Sequence, residues 1–551
     1  MIIHSQKKGG GKSMRVADFF CGAGGFSEGF RQAGFEVVFA VDKWEPAINT
    51  FKANKPSCRV LQDDVQRISR LPDDEFHALI PDTEVIIGSP PCVAFSNSNK
   101  SGNGDKSLGI ELIKAYFRIV ARKRFKENSL LRYWVLENVP NIKKYIQEEY
   151  SAADLELAGD FHLTPINQSS RIYNAKYFGA PTNRKRFLCG EFPEPQTTNT
   201  DEDIITLRTV LDSLGYPCND INTIIQDCNY QGLCLPIDEL TDHQYLYTLQ
   251  PFEWKTAKRL KEDKGYMGKM SFPENLDNPA RTVMASMSSS SRESMILPDI
   301  YGGYRLPTVR EAASMMSFPI DYRFYGKSKG LKHTLVGNAV PPKMSYAVAK
   351  AIALDANEPI PQGYVPIQHE EEIFFFNLNG TTFTPKVERP KRAIAKFKYH
   401  IPYVILNAYR VELTNYHSDF GKKKYKWNAE IHFSQGKNKA KVYKPRKAQE
   451  YLSTEIKAQI ANYIEQVKPR LSSFNDFQKV FCMTEMERKN QTLIGPYELL
   501  ESVKGVLHDV IPYEEWKKSI KLSNDFPDVP QAIIAGYYLL SQLLAAMNQN
   551  R

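Results

Sequence analysis

The chain has 551 residues, of which 42% are hydrophobic and 25% are charged. Such a length predicts roughly two to four domains, and the composition is that of a folded globular protein, which excludes general disorder. The formal net charge of +9 favours a polyanionic partner. No apolar run is long enough to span a bilayer, which excludes a helical membrane protein.

The eight cysteines are few for this length, and no two of them are spaced as CxxC. The sequence therefore signals no zinc site, and a reducing cytoplasm is the expected compartment. Residues 1–13 are polar and basic and lack the apolar segment of a signal peptide. We interpret them as a flexible tail, because their glycines do not have the spacing of a phosphate-binding loop.

The first predicted element is a strand over 14–20, followed by a glycine-rich loop and a helix from about 27 to 33. Gly22, Gly24 and Gly25 allow the backbone of this loop to turn tightly and to approach a ligand. A strand, a glycine loop and a helix in this order are how a doubly wound sheet receives an adenosine-bearing cofactor. The glycines follow the pattern GxGG, whereas NAD-binding proteins have GxGxxG.

A second strand is predicted over 36–41 and ends at Asp42. A carboxylate at that strand end is suited to accept hydrogen bonds from ribose hydroxyls. The large ring of Trp44 is suited to stacking on an adenine. The simpler alternative for Asp42 is an acidic residue at an exposed helix start.

A buried strand over 84–87 leads into the segment 88–92, Gly-Ser-Pro-Pro-Cys. The two prolines end the strand and stiffen the turn, and open α/β sheets bind ligands at the carboxyl ends of their strands. Cys92 is thus placed for attack on a substrate, although a lone cysteine is more often a buried structural thiol. The polar segment 93–105 that follows is expected to be a mobile loop.

Further along the chain, we predict a helix over about 109–124 and a buried strand over 133–136 that ends at Glu137. Glu137 should then lie on the same sheet edge as Cys92. Arg184 and Arg186 are two residues apart and share a face if the segment is extended; the alternative is a solvated basic strand.

Several segments, in this order, resemble the C5-cytosine DNA methyltransferase family of bacterial restriction–modification systems: Asp18–Phe26, Pro90-Pro91-Cys92, Glu137-Asn138-Val139, Asn183–Arg186 and Gly337–Pro342. The resemblance covers about residues 14–190 and 275–355. It implies an α/β fold with a doubly wound, Rossmann-like methyltransferase core and a smaller target-recognition domain. It also implies S-adenosylmethionine as methyl donor, double-stranded DNA as substrate, and no metal.

The resemblance assigns catalysis to four residues. Cys92 is the nucleophile that adds to C6 of the cytosine, Glu137 donates to N3, and Arg184 and Arg186 orient the base and the phosphate. It implies that the cofactor contacts come from Asp18, Phe19, Cys21, Gly22, Gly24, Gly25, Asp42, Trp44, Asp64, Val65, Pro90, Leu112 and Asn338. For Leu112, a simple core role is an equal alternative. The chain departs from the usual residues at several of these motifs, with Asp42 in place of Glu and Ser89 in place of Gly.

The sequence beyond the resemblance predicts an additional basic α+β region. Residues 386–447 hold 17 Lys or Arg against 4 Asp or Glu, with aromatic residues between them. This pattern fits a nucleic-acid surface, and a basic β-rich domain with an aromatic core is an equal alternative. The predicted domains are a tail (1–13), a catalytic domain (14–190), a target-recognition domain with its supporting segment (191–320), a return to the core (321–355), and a C-terminal extension that is a candidate for DNA binding (356–551).

We therefore predict a DNA cytosine-5 methyltransferase that acts as a monomer beside a restriction endonuclease of the same specificity. One rival is an RNA cytosine-5 methyltransferase, which is disfavoured because the Cys-Phe-Thr motif of the tRNA-acting branch is absent. A second is a non-catalytic DNA-binding regulator on the same fold. A third is a fusion with a nuclease, for which we find no PD-(D/E)xK or HNH set.

Overall fold

The computed structural model describes residues 13–91, 106–217, 223–262, 270–434, 441–522 and 528–549. Residues 1–12 of the predicted tail, Cys92 and the predicted loop over 93–105 lie outside the described residues. The chain divides into two compact units, Met1–Leu249 with Pro273–Thr384 and Gln250–Phe272 with Pro385–Arg551.

The first unit is built on a seven-stranded sheet in the order β3-β2-β1-β4-β5-β10-β8. Strands β1 to β5 are parallel, and β10 runs antiparallel to both β5 and β8. The predicted early strands are confirmed to within one or two residues. The first ten strands are β1 Arg15–Phe19, β2 Glu36–Asp42, β3 Arg59–Gln62, β4 Val85–Gly88, β5 Tyr133–Asn138, β6 Tyr150–Ser151, β7 His162–Leu163, β8 Arg171–Asn174, β9 Thr182–Asn183 and β10 Lys185–Glu191.

Helices cover both faces of this sheet, as the predicted doubly wound fold requires. Alternate side chains of each strand point to opposite faces. In β4, Ile87 belongs to the core cluster shared with α1 and α10, whereas Ile86 belongs to the cluster shared with α5. The helices up to 355 are α1 Gly25–Gln32, α2 Glu45–Asn54, α3 Val65–Ser69, α4 Asp73–Leu79, α5 Ser107–Arg124, α6 Leu207–Leu214, α7 Pro251–Glu262, α8 Val309–Met315, α9 Lys329–Asn338 and α10 Pro342–Asp355.

A third core cluster lies in the region after β10 and joins α6, α8 and α9 with several short strands. β14 returns to pair in parallel with β9, which ties this region to the catalytic core. The short strands are β11 Ile224–Gln226, β12 Cys234–Pro236, β13 Tyr247–Thr248, β14 Ala280–Arg281, β15 Leu297–Pro298 and β16 Tyr304–Leu306.

The segment 357–384 packs on the first unit, whereas we had placed the start of the C-terminal extension at 356. Arg31 on α1 donates to the backbone oxygens of Val365 and Pro366. Further along, Lys332 pairs with the buried carboxylate of Asp242 at 2.7 Å and also donates to the backbone oxygen of Phe376. These hydrogen bonds make the segment part of the first unit.

The second unit contains a four-stranded antiparallel sheet in the order β17-β18-β19-β20, on which α14 and α15 pack. Phe397, Tyr409 and Trp427 are buried in its core, so these aromatic residues form the predicted alternative, an aromatic core. Tyr416 by contrast is 53% exposed. The elements are β17 Lys398–Leu406, β18 Tyr409–Thr414, β19 Asn428–Phe433, β20 Lys441–Tyr443, β21 Ser519–Ile520, β22 Val529–Pro530, α11 Thr454–Val467, α12 Phe474–Cys482, α13 Glu485–Lys489, α14 Pro496–Val510 and α15 Gln531–Gln549.

Helix α7 belongs to this second unit, although we had assigned its residues to the target-recognition domain. Its Lys255 pairs with Glu485, and its Glu253 pairs with Lys386 at 3.1 Å. The chain thus leaves the first unit at 249 and re-enters it at 273. In the part of the chain that the structure describes, no helix is both long and apolar enough to cross a membrane.

Candidate active site

The carboxyl ends of β1, β2, β4 and β5 meet at one edge of the large sheet. These strands are neighbours and parallel, so their last residues lie side by side. The glycine-rich loop, Asp42, the Ser89-Pro90 turn and Glu137 all lie at or next to these ends. The structure therefore brings these four predicted features to a single sheet edge.

Glu137, near the end of β5, is held by two neighbours. Arg186 on β10 approaches its carboxylate with Nε 2.8 Å from Oε1, and both side chains are nearly buried, 11% and 5% exposed. Ser89 donates its hydroxyl to the other carboxylate oxygen at 2.5 Å. The carboxylate is therefore fixed in orientation from two sides, as an acid–base group needs to be.

The turn that leads to position 92 is fastened to the same place. The side-chain amide of Asn138 donates to the backbone oxygen of Pro90 at 2.9 Å. The backbone N–H of Ser89 donates to the backbone oxygen of Phe19 at 3.2 Å, which ties the turn to β1 as well. Pro91, the last described residue before Cys92, is thus held next to the strand end that carries Glu137.

Arg184 has different neighbours from Arg186. Its buried guanidinium donates to the backbone oxygens of Gly337 and Ala339, both at 3.0 Å, and to that of Val283 at 3.3 Å. These contacts hold the loop before α10. In these contacts Arg184 supports the return of the chain, whereas Arg186 orients Glu137.

The glycine-rich loop contains two kinds of glycine. Gly22 has a φ of +52°, and a Cβ added there would meet nothing within 4 Å. A Cβ on Gly24 would lie 2.8 Å from the hydroxyl of Tyr322, and one on Gly25 would lie 2.2 Å from the backbone oxygen of Val340. Gly22 therefore leaves open space beside the strand ends, whereas Gly24 and Gly25 are required by packing.

Asp42 connects this loop to the start of α2. Its two carboxylate oxygens accept hydrogen bonds from the N–H groups of Gly22 at 3.0 Å and Trp44 at 2.9 Å. A carboxylate has further acceptor capacity beyond these two bonds. Burial raises the pKa of Asp42 while the backbone N–H groups of Trp44 and Gly22 lower it.

Asp18 is completely buried beneath the same loop. Ser27 donates to its Oδ2 at 2.6 Å, and within the described residues its Oδ1 has no hydrogen-bond partner. Burial raises the pKa of Asp18 to about 7, although Ser27 and the nearby Lys55 lower it. A buried acceptor without a donor is costly, so this oxygen suits a ligand that brings a donor.

A buried network that sequence reasoning missed supports the loop from below. Lys55 pairs with Glu28 at 3.2 Å and lies 3.2 Å from the hydroxyl of Tyr322. That hydroxyl donates to the backbone oxygen of Ala23 at 2.5 Å. These residues are brought together only by the fold, because Tyr322 comes 267 residues after Lys55.

The other predicted cofactor residues occupy varied positions. Asp64 caps α3 by accepting from the N–H of Gln66 at 2.8 Å. Trp44 is partly exposed at the start of α2, and Asn338 is exposed at the end of α9. Four further predicted residues are buried, so that any contact from them would be made by backbone or by a small part of the side chain: Phe19, Cys21, Val65 and Leu112.

The chemistry of this edge fits an adenosine-bearing methyl donor. The open side of Gly22 leaves room for it, Asp42 offers a carboxylate at the second strand end, and Asp18 offers an acceptor without a donor. Among the described residues, no group of three or more His, Cys, Asp or Glu side chains is arranged to hold a metal ion.

Residues 14–354 match the family model described as C-5 cytosine-specific DNA methylase. The chain belongs to this family. The resemblance found in the sequence is confirmed, and the methylase match ends before most of the second unit begins.

Relatives with similar sequences are methyltransferases as well. The type II methyltransferase M.MthTI of Methanothermobacter thermautotrophicus is 29% identical over 357 residues, covering 62% of this methylase and 98% of that protein. M1.HphI of Haemophilus parahaemolyticus is 28% identical over 368 residues, covering 63% of this methylase and 88% of that protein.

Among solved structures, the crystal structure of S. pombe Dnmt2 methyltransferase aligns with a TM-score of 0.41 at 16% identity, covering 62% of this chain and 99% of that one.

A fused nuclease is one of the alternatives from the sequence analysis, and it would lie in the second unit of the methylase. Its sheet places Glu412, Glu430 and His432 close together, with His432 3.0 and 3.1 Å from the two carboxylates. Cations already occupy these carboxylates, since Arg410 pairs with Glu412 at 2.6 Å and Lys444 with Glu430 at 2.8 Å. This charge pairing gives no support to a metal-dependent nuclease.

Proposed function

We propose that this methylase transfers a methyl group from S-adenosylmethionine to C5 of a cytosine within a specific sequence of double-stranded DNA. The proposal rests on one arrangement of contacts: Ser89 and Arg186 hold the carboxyl group of Glu137, and the neighbouring Asn138 donates to the backbone oxygen of Pro90. These contacts keep a carboxyl group beside the turn that leads to Cys92, which is the arrangement that addition of a thiolate to cytosine needs.

Cys92 is proposed as the nucleophile. Its thiolate forms a bond to C6 of the cytosine, and the electrons of the C5–C6 double bond move to C5, which makes C5 nucleophilic. Bound S-adenosylmethionine supplies the electrophilic methyl group. The C5 proton then leaves to a base, the C5–C6 double bond re-forms, and the Cys92 thiolate is expelled. The reacting base has to leave the duplex stack to reach these side chains.

Glu137 is proposed to donate a proton to N3 of the cytosine as the thiolate adds. The negative charge that develops on the ring is then neutralised where it forms. Arg186 and Ser89 hold the carboxyl group in one orientation. Arg184 is proposed to support the active site indirectly, because it binds the backbone oxygens of Gly337 and Ala339 and so holds that loop in place.

The methyl donor is proposed to lie across the ends of β1, β2 and β4. Asp42 would accept from its ribose hydroxyls and Trp44 would pack on its adenine, with Asp64 close to the adenine amino group. Asp18, Cys21, Gly22, Pro90 and Asn338 are proposed to complete the site, and the unpartnered Oδ1 of Asp18 supports a donor group of the ligand there.

Residues 191–320, without α7 and its flanks, are proposed to read the DNA sequence. The similarity to type II methyltransferases supports a role in a restriction–modification system, with a cognate endonuclease that cuts the same unmodified site. We propose that the protein acts as a monomer in the cytoplasm, where the host DNA is.

The test is transfer of a radiolabelled methyl group from S-adenosylmethionine to unmethylated bacterial DNA, followed by hydrolysis and separation of the nucleosides. We expect the label in 5-methylcytosine, and loss of transfer by at least about 10³-fold in Cys92→Ser, since the covalent step is lost. Cys58→Ala, which removes a thiol just before β3 that has no proposed role in the reaction, is the matched control and should stay active. Labelling of tRNA in place of DNA would contradict the proposal.

A further inference from the structure

The second unit contains a cavity of about 550 Å³ that the methyltransfer reaction does not use. It lies between the segment 390–393, the loop after β18 and the side of α12. Pockets of this size hold small organic ligands. All of its lining residues belong to the basic stretch 386–447, to α12 and Met483 just after it, or to α13, which contributes Glu487.

The lining is electropositive. Lys391, Lys423 and Lys479 contribute ammonium groups, and Glu487 is the one acidic residue among the residues that line the cavity. The carboxylate of Glu487 is engaged with Thr484, from which it accepts two hydrogen bonds at 2.7 and 2.9 Å. An anion entering the cavity therefore meets three cations and a carboxylate whose acceptors are partly occupied.

Two of the three lysines have contacts with which a ligand would compete. Lys479 pairs with Asp476 at 2.8 Å, but this pair is largely exposed, and exposed pairs contribute little, about 0–1 kcal/mol. Lys391 packs its ammonium 5.1 Å from the centre of the Phe481 ring. Burial and, to a smaller extent, the nearby Arg488 lower the pKa of Lys391, while Glu388 raises it.

Lys423 is presented by an unusual loop. The backbones of Asp419 and Lys424 exchange two hydrogen bonds at 2.9 and 3.0 Å and close the loop. Lys423 has a φ of +53° inside it, a conformation that costs a residue with a side chain about 1–2 kcal/mol.

Part of the lining is less polar. Tyr425, Met483, Pro390 and Ala393 also line the cavity. Aromatic side chains next to basic ones are the usual combination for binding single nucleotides of a strand, because the ring stacks on the base while the cations hold the phosphate.

We propose that this cavity binds one nucleotide, with its phosphate among Lys391, Lys423 and Lys479 and its base against Tyr425. The nucleotide is expected to belong to a DNA strand, because a DNA methylase already brings DNA to the chain and tethering raises the effective concentration of its second site. The proposal does not depend on the assignment of Cys92 or Glu137.

The first experiment measures the affinity of the full-length protein for an oligonucleotide as a function of salt. For Lys391→Ala/Lys423→Ala/Lys479→Ala, we expect the slope of log affinity against log salt to become shallower by about 0.7–0.9, since the three lysines share one phosphate and each phosphate contact contributes about 0.7 for a single strand and 0.9 for a duplex. The matched control is Lys468→Ala/Lys517→Ala/Lys518→Ala, three exposed lysines of the same unit outside the cavity. An equal slope for both triple variants would overturn the proposal.

The second experiment uses the unaltered protein and so does not depend on the folding of a variant. Cys482 lines the cavity and is partly buried, so its alkylation, followed by mass spectrometry, reports occupancy. We expect an oligonucleotide to slow its alkylation about tenfold, and polyaspartate, which has charge but no base, to leave the rate unchanged. Protection by a free mononucleotide but not by an oligonucleotide would overturn the assignment to DNA, and protection by neither would overturn the site itself.

Discussion

The ion pair between Arg186 and Glu137 gives the sharpest test of the active-site geometry. We consider Arg186→Met, which removes the cation and keeps most of the side-chain volume. Glu137 is 5% exposed, so the substitution leaves its carboxylate poorly solvated, with the hydroxyl of Ser89 still donating to it at 2.5 Å. Glu137→Gln by contrast removes the charge and retains an amide that can bond to both neighbours.

The size of the effect follows from the geometry. At the 2.8 Å separation of Nε and Oε1, two unit charges interact by about 6 kcal/mol at an effective dielectric constant of about 20. Removing one partner of such a buried pair typically costs about 3–5 kcal/mol. Because Ser89 still donates to Glu137, we expect the lower end, about 3 kcal/mol, for Arg186→Met.

The assay is hydrogen exchange of β5 and β10 measured by mass spectrometry, in the two single variants and the double variant. The double variant should be no less stable than Arg186→Met, because it leaves no unpaired buried charge. Both single variants should lose methyl transfer by about 10²-fold or more. If the destabilisation of the double variant equals the sum of the single ones, the two residues are not coupled and our account of the site fails.

Three further predictions concern the cofactor edge. Because the pKa of Asp18 is raised from 3.8 to about 7, the stability it contributes is fully present below about pH 4 and is lost as the pH rises through about 7. The free energy of unfolding relative to Asp18→Asn should fall by on the order of 4 kcal/mol over that range, and a pH-independent difference would contradict the burial argument. Asp42→Ala should raise the KM for S-adenosylmethionine about 10–150-fold, from the loss of about 1.5–3 kcal/mol of charged hydrogen bonds; an unchanged KM would remove Asp42 from the donor site. Gly25→Ala should destabilise the first unit by about 3 kcal/mol or more in thermal unfolding, because its Cβ would lie 2.2 Å from a backbone oxygen, whereas Gly22→Ala should cost only about 1–2 kcal/mol, and equal costs would refute the distinction.

Local sequence patterns were sufficient to predict the core of the first unit. The alternation of apolar residues and the turns at strand ends gave β1, β2, β4 and β5 nearly to the residue. Because parallel strands end at one edge, the placement of Asp42, the Ser89-Pro90 turn and Glu137 followed from the strands alone. Cys92 stays a prediction, since it lies outside the described residues.

Contacts between distant parts of the chain could not be predicted in this way. In the sequence Ser89 is only a departure from the usual glycine, but in the structure its hydroxyl donates to Glu137, which is 48 residues away. Arg184 and Arg186 are neighbours in sequence, but each binds a different partner because the backbone oxygens near Arg184 come from residues about 100 and 150 positions later. No local pattern carries that information.

Two features of the domain organisation were missed for related reasons. The sequence does not indicate that residues 250–272 belong to the second unit, because α7 is an ordinary amphipathic helix whose partners come after 385. Helix α9 was also missed, since it contains Gly330 and Gly337, and glycine disfavours helices by about 1 kcal/mol. In the structure, Ser328 caps its first turn.

The most direct test of the central claim is bisulfite sequencing of the genome of a methylation-free bacterial host that expresses this chain. The account predicts protected cytosines confined to one short recurring sequence, and no protection in a host that expresses Cys92→Ser at the same level. Absence of protected cytosines from cells that contain folded, soluble protein would contradict the claim that the enzyme methylates cytosine in DNA.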